Sequence, residues 1–538
     1  MTALLLLVVG NAAAFGWVLY RGNTIPISVE TTHLTSPVDA DGYVDYSAEL
    51  TPGIGPPPEE NAASIYYRMA AAELRAEHGE VFHRRACRQL GIPPEIDAVD
   101  KLDGWVRFWK SKVAERTDLS AEAREEFDQE VWKRFEACGT RVWTGDEFPL
   151  VAEYVDANHR AVELALEASA RPVYAFYPPR SDRYPDASFL SPLLVARRNT
   201  AEVVRFAALR HAGEGRGERA FQLVDALHRM ARHGNAAKSP FECQLAAMFL
   251  QIGIVAERQL LPLLTTRDAV RRRRTLVRNL PPVADWVATF EERERFASLN
   301  GYQAFDMIRR GGAIAHRGEA ILGYKAGTQT SVANRLRIAT HDLAFVCRTV
   351  NQWHDRIVQI LWTPAVDRRE AVRECDRWLE TTYDSLSALR PDDLRKRRAF
   401  DAHIRPHLSA AATVAWELTR LEWQRLLLDI DFAVREFEVV HGRLPVRRED
   451  LVPEHLENWP ADPYDGQPLR DVTIDGRWIV YSVFKDGADR SSEWSIEPWS
   501  DVWASEMYDN ITFESLQSDD YAWPVGGEKV DIGADSGS

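Results

Sequence analysis

The chain has 538 residues, is 45% hydrophobic, and carries a formal net charge of -15 at pH 7 with a pI of about 5.5. That length predicts two to four folded units, at roughly 100 to 200 residues per domain. The acidic balance excludes nucleic acid as an obligate partner, because proteins that grip the phosphate backbone present a basic face. Five scattered cysteines, Cys87, Cys138, Cys243, Cys347 and Cys375, have no zinc-ligand spacing, so isolated buried thiols are expected rather than a disulfide framework.

The N-terminal stretch "TALLLLVVGNAAAFGWVLY" (Thr2 to Tyr20) has no ionisable side chain. As a helix it spans about 28 Å, close to the roughly 30 Å hydrocarbon layer of a bilayer. Residues 1–22 therefore read as a single-pass membrane anchor, with a cleaved signal ending near "NAAA" (Asn11 to Ala14) as the alternative. Both readings are export signals, and they place the bulk of the chain outside the cytoplasm of a bacterial inner membrane. Residues 23–60 lack helical periodicity and finish in "GPPPEE", which predicts an extended Pro-rich spacer.

From residue 61 to about 410 the pattern is helical, with apolar residues at three- and four-residue spacing between Gly, Pro and Asp stops. Phe148 to Pro172 reads as one helix, with Asn158 and His159 beside its apolar stripe as structural hydrogen-bonders. Thr200 to Asn235 reads as a helical hairpin whose "GEGRG" (Gly213, Gly215, Gly217) is a turn, because it follows a helix and lacks the GxGxxG spacing of a phosphate loop. Two Arg-rich runs, Val270 to Arg278 and Leu394 to Phe400, lie near acidic residues and predict solvated or salt-bridged faces. Leu343, Val346, Val350, Trp353, Ile357 and Ile360 alternate at three and four residues, which predicts a seam packed on a neighbouring helix.

Local catalytic motifs are scarce. The doublets His341-Asp342 and His354-Asp355 sit roughly 220° apart around one continuous helix, which keeps the two histidines from sharing a metal and puts His341 and Asp355 near its solvent side. His403 and His407 have metal-pair spacing, but Pro406 breaks the turn between them. Ser482 and Lys485 match an SxxK pattern that requires a helix start, yet they lie in a strand and turn. A hydrolase site assembled from distant helices stays open as an alternative.

Residues 412 to 494 depart from this pattern. A long helix runs to Gly442, followed by "REDLVPEHL", the turns of "DPYDGQPLR" and an antiparallel hairpin through "DGRWIVYSV". The ordered series "FEVVHGRLP", "DLVPEHL", "DPYDGQPL" and "YSVFKDGAD" resembles the globular part of major pseudopilins of type II secretion systems over some 70 residues. The resemblance implies a C-terminal pseudopilin-like unit over 411–503 and a calcium-holding loop, with Asp486 the best positional match and Asp489 and Asp501 as further ligands. Phe484 stands where that family has glycine, and turn-forming aspartates are the other reading of the loop. The pseudopilin helix starts at the N-terminus and builds a filament. Here it lies some 400 residues into the chain, so filament assembly does not carry over.

The whole chain also resembles large membrane-anchored helical proteins of bacteria, which supports the domain order and implies no activity. Residues 504–538 are acidic and poor in apolar side chains, which predicts a disordered tail. The expected protein is thus mainly α, a large multi-helix body with a small C-terminal α+β unit. The expected role is a membrane-anchored scaffold binding other envelope proteins, with an accessory part in a secretion system and a helical-groove hydrolase as alternatives.

Overall fold

Apolar residues recurring on one face make each helix a half-buried rod, and stacking such rods builds the body. The computed structural model describes residues 25–46 and 56–483 apart from internal stretches, the longest 177–190 and 323–337, together with short strands further on. Its helices are α1 (Val29–Thr32), α2 (Ala63–Leu90), α3 (Trp105–Glu115), α4 (Pro149–Ala157), α5 (His159–Ala170), α6 (Ser191–Gly213), α7 (Gly217–Arg232), α8 (Pro240–Leu260) and α9 (Arg267–Arg278). They continue as α10 (Arg295–Arg310), α11 (Gly312–Ile321), α12 (Leu343–Trp362), α13 (Ala365–Asp384), α14 (Pro391–His403) and α15 (Leu408–His441). The chain is therefore mainly helical, as its periodicity predicts.

The hairpin of α6 and α7 packs against α8, and the "GEGRG" glycines form its turn. Gly213 is required there by close approach: a Cβ would meet the Trp143 carbonyl oxygen at 2.1 Å. Gly215 has φ +79, a conformation glycine adopts without a steric penalty. The single helix expected over 148–172 is broken in two at Asn158. This buried residue donates from its side-chain Nδ2 to the Tyr154 carbonyl at 3.0 Å, competing with regular helical bonding. The seam of α12 is buried throughout, and all five cysteines are buried free thiols.

The segment expected as a spacer is folded onto the body over 25–46. Tyr43, Val44 and Tyr46 are buried. The side-chain amide of Gln303 on α10 pairs with the Val44 backbone in both directions, accepting from N–H at 3.0 Å and donating to the carbonyl at 3.1 Å. Tyr43 donates to the buried Asp306 at 2.7 Å, and Arg317 bonds Asp39 and Asp41. Side chains of α10 and α11 thus supply partners that a neighbouring strand would otherwise provide, which composition does not reveal. The anchor reading falls on residues 1–22, outside the described residues.

Helix α15 feeds two cores. Leu421, Leu428 and Phe432 join the main cluster, while Trp423, Leu427, Ile430, Val434 and Phe437 pack with Leu451, Leu456, Tyr464, Leu469, Trp478 and Val480. Helix α15 runs across the boundary expected at 410/411 and contributes to both cores. Beyond it, β1 (Arg470–Ile474) and β2 (Arg477–Ser482) form the expected antiparallel hairpin, with Val472 opposite Ile479. Asp462 fixes the turn to the hairpin by accepting from Ser482 Oγ at 2.9 Å, Tyr464 N at 2.9 Å and Val483 N at 3.1 Å. Within the expected tail, Tyr521–Pro524 pairs antiparallel with β2 and Asp531–Ala534 with Trp494–Glu497; the rest of that segment lies outside the described residues.

The first Arg-rich run is a salt-bridged face whose partner is α15. Arg267, Arg271, Arg274 and Arg278 recur at four, three and four residues along α9. Arg274 and Arg278 each bond both oxygens of Asp429, at 2.8 Å and 2.6 Å respectively, while Arg267 and Arg271 reach Glu436 at 2.8 and 2.7 Å. From α8, Arg258 adds a contact to Asp431 at 3.0 Å. Burial opposes the charge of Asp429, but bonds from Arg274 and Arg278 outweigh it and hold the carboxyl below its usual range.

Substituting Asp429→Ala leaves the guanidinium of Arg274, whose side chain is 8% exposed, without a counter-charge and with the His455 carbonyl at 2.7 Å as its remaining bond, and should cost about 3 kcal/mol. Arg278 is 56% exposed, so Arg278→Ala should cost under about 1 kcal/mol. Urea unfolding of the two variants measures the contrast.

Candidate functional site

Of the residues singled out in the sequence, Asp486, Asp489 and Asp501 lie outside the described residues, as do Lys485 and His407. Ser482 is buried with its hydroxyl committed to Asp462, a structural bond at the end of β2. Asp342 caps α12 by accepting from Phe345 N at 2.9 Å. His354 is fully buried against Phe290 and Trp353.

His341 departs from expectation. Because α12 begins at Leu343, the helical projection does not reach His341, which is buried instead of facing solvent. Its Nδ1 lies 3.0 Å from Nε2 of His403. Asp355 does face solvent, 66% exposed, and pairs with Arg295 at 2.6 Å. The structure thus brings together one member of each of two sequence motifs, at the meeting of the start of α12 and the end of α14.

Near this pair runs a narrow, mainly apolar groove lined by Ser298, Tyr302, Val350, Trp353 and Ile404. Tyr302 Oη donates to the His403 carbonyl at 3.3 Å. One turn before Ser298 is Glu294, the last residue of a π-helical segment, Thr289–Glu294, that leads into α10. A π turn inserts an extra residue into a helix and re-aims the side chains beside it, a device common at functional sites. Burial raises the Glu294 carboxyl to about 7, with no opposing cation. A carboxyl that keeps its proton near neutrality can donate it, which is the chemistry a general acid needs.

A second cluster sits where α15 ends. His441, Glu454 and His455 bring one ligand-type atom each to within 4.8 Å of one another. His455 is 4% exposed, and its Nε2 has no hydrogen-bond partner. The acceptor beside it is Glu436 Oε1, 3.5 Å from Nδ1, and that carboxylate is held by Arg267 and Arg271. Burial lowers the His455 pKa, more than the nearby Glu436 raises it. Sequence reasoning passed over this cluster because twelve residues lie between His441 and Glu454, and no zinc-motif spacing connects them.

Arg197 is a further buried charge that the sequence does not flag. Its guanidinium lies 4.1 Å from the Tyr174 ring centroid, 5.3 Å from Tyr66 and 5.5 Å from Phe249, with Glu242 at 3.9 Å. Aromatic faces here stabilise a cation removed from water.

Comparison with protein-family models, curated proteins and solved structures finds no match to this chain. Among the described residues, no helix is long and apolar enough to cross a membrane.

Because the folded pKa of Glu294 (about 7) exceeds its ordinary 4.5, the folded state holds this proton more tightly than the unfolded chain. The group's contribution to stability is complete below about pH 4.5 and is lost as pH rises through 7. Glu294→Gln should therefore melt higher than the parent at pH 8, and the gap should close toward pH 4.5. Thermal melts of both proteins across that range read it.

Proposed function

We propose that this protein is an exported, single-pass protein of the bacterial inner membrane that acts as a scaffold for other envelope proteins. Its apolar N-terminus is the anchor, and its C-terminal unit is pseudopilin-like. The observation that carries the binding role is a run of exposed aliphatic side chains just where α15 ends. Val440, Leu444 and Val446 are 41%, 42% and 64% exposed, within seven residues of one another. Arg443 and Arg447 border them, with side chains 57% and 70% exposed and Asp450 at 3.8 and 3.9 Å from them. Apolar surface rimmed by charge is the usual anatomy of a protein-binding patch, and the cations favour an acidic partner surface.

Two features support this reading further. The Arg-carboxylate clamp between α9 and α15 fixes the patch rigidly to the body, which lowers the ordering cost of binding. The sequence series over these same residues resembles type II pseudopilins, which favours a partner from a secretion or pilus-like assembly. In that case the protein is an accessory component, with calcium held by Asp486, Asp489 and Asp501.

A hydrolase in the groove of Tyr302 and Trp353 is the second reading, favoured by the proton-bearing Glu294. Hydrolysis of an ester, peptide, glycan or phosphoester substrate by the parent and its loss in Glu294→Gln would support that reading.

For the scaffold, the expected outcome is one or more defined crosslinked species in the membrane fraction that disappear in Leu444→Asp/Val446→Asp. Circular dichroism should show unchanged helix content in that variant. Identical crosslinking patterns in parent and variant would reject the patch.

A further inference from the structure

We propose that His441, Glu454 and His455 form a zinc site that ties the end of α15 to the loop returning from it. The donor set is two imidazoles and a carboxylate, the mixture preferred by Zn2+ over the all-oxygen shells of calcium and magnesium. The inference is independent of the scaffold reading.

Three observations converge on it. The ligand-type atoms lie within 4.8 Å of one another, whereas ligands on a tetrahedral zinc stand about 3.3 Å apart at bond lengths of about 2.0–2.1 Å. Closing that difference needs side-chain rotation: His441 and Glu454 are both exposed, and Glu454 has to leave its pairing with Arg267. The third ligand is already fixed: His455 is buried, with Glu436 Oε1 3.5 Å from its Nδ1 and no hydrogen-bond partner at Nε2. A buried imidazole left in that condition costs free energy that a metal bond recovers. Around it, Glu436 faces Nδ1 at 3.5 Å and is itself anchored by Arg267 and Arg271, a carboxylate placed to orient a ligating histidine whose other nitrogen binds the ion.

The surroundings also define what the ion competes with. Arg267 bonds Glu454 at 3.2 Å as well as Glu436, so zinc must displace an exposed ion pair to recruit Glu454. Such pairs contribute little. The Phe437 ring packs 4.3 Å from His441 and 5.5 Å from His455, shielding the inner side of the site. Three protein ligands leave the fourth tetrahedral position for water or a group from a docked partner. The loop that zinc closes, residues 442–453, contains Leu444 and Val446.

The test is equilibrium dialysis of the full-length, untagged chain in detergent against Zn2+ after chelator stripping, with Co2+ absorption reporting the coordination. The expected result is one Zn2+ per chain, with affinity falling at least tenfold in His441→Ala and in Glu454→Gln. Both residues are exposed, so neither change threatens the core. The exposed His159→Ala should bind as the parent does. A tetrahedral Co2+ spectrum that is lost in His441→Ala confirms the ligand. Absence of saturable Zn2+ binding, or equal binding by parent, His441→Ala and Glu454→Gln, overturns the proposal.

Discussion

Everything C-terminal to residue 408 depends on how one helix reconciles apolar faces with charge. Helix α15 sends Leu421, Leu428 and Phe432 into the main core and Trp423, Leu427, Ile430, Val434 and Phe437 into a second one. A helix apolar on two sides has little surface left for ionised groups, yet it carries Asp429, Asp431 and Glu436 among those residues. Each of these carboxylates is met by arginine from α8 or α9. The desolvation cost of such charges is high, and paired geometry offsets it only when the bonds are well formed. The bidentate contacts of Arg274 and Arg278 meet that condition, so register between α9 and α15 is set by charge as much as by packing.

The same logic organises the N-terminal side. Residues 25–46 run mostly without regular structure, and an unpaired extended backbone cannot be buried without hydrogen-bond partners. Gln303 and Asp306, both buried on α10, supply them to Val44 and Tyr43. Polar residues in the helical core are therefore the receptor for a segment distant in sequence. A buried polar group that would be costly without a partner becomes specific for the segment that satisfies it.

Beside these paired charges lie two places that the sequence does not flag. Burial raises the Glu294 carboxyl to about 7, one turn before the groove residue Ser298, and His455 is buried with Nε2 unpartnered. Each lies where regular structure is interrupted, the first at a π turn entering α10 and the second in the loop after α15. Departures from local regularity of this kind concentrate at sites under functional constraint.

The sequence by itself determined the helical character, the hairpin turn at Gly213 to Gly217, the α12 seam and the strand pair ending at Ser482, because each rests on periodicity or turn chemistry acting over a few residues. Tertiary structure decided what no local pattern encodes. It joined His341 to His403, brought His441 beside His455 and folded residues 25–46 onto α10. It also converted the Arg run at 270–278 from a face of unknown partner into a clamp on α15. The physical reason is range: backbone propensity and hydrophobic period act between neighbours along the chain, whereas ion pairs, shared cores and ligand clusters exist only once helices far apart in sequence have packed.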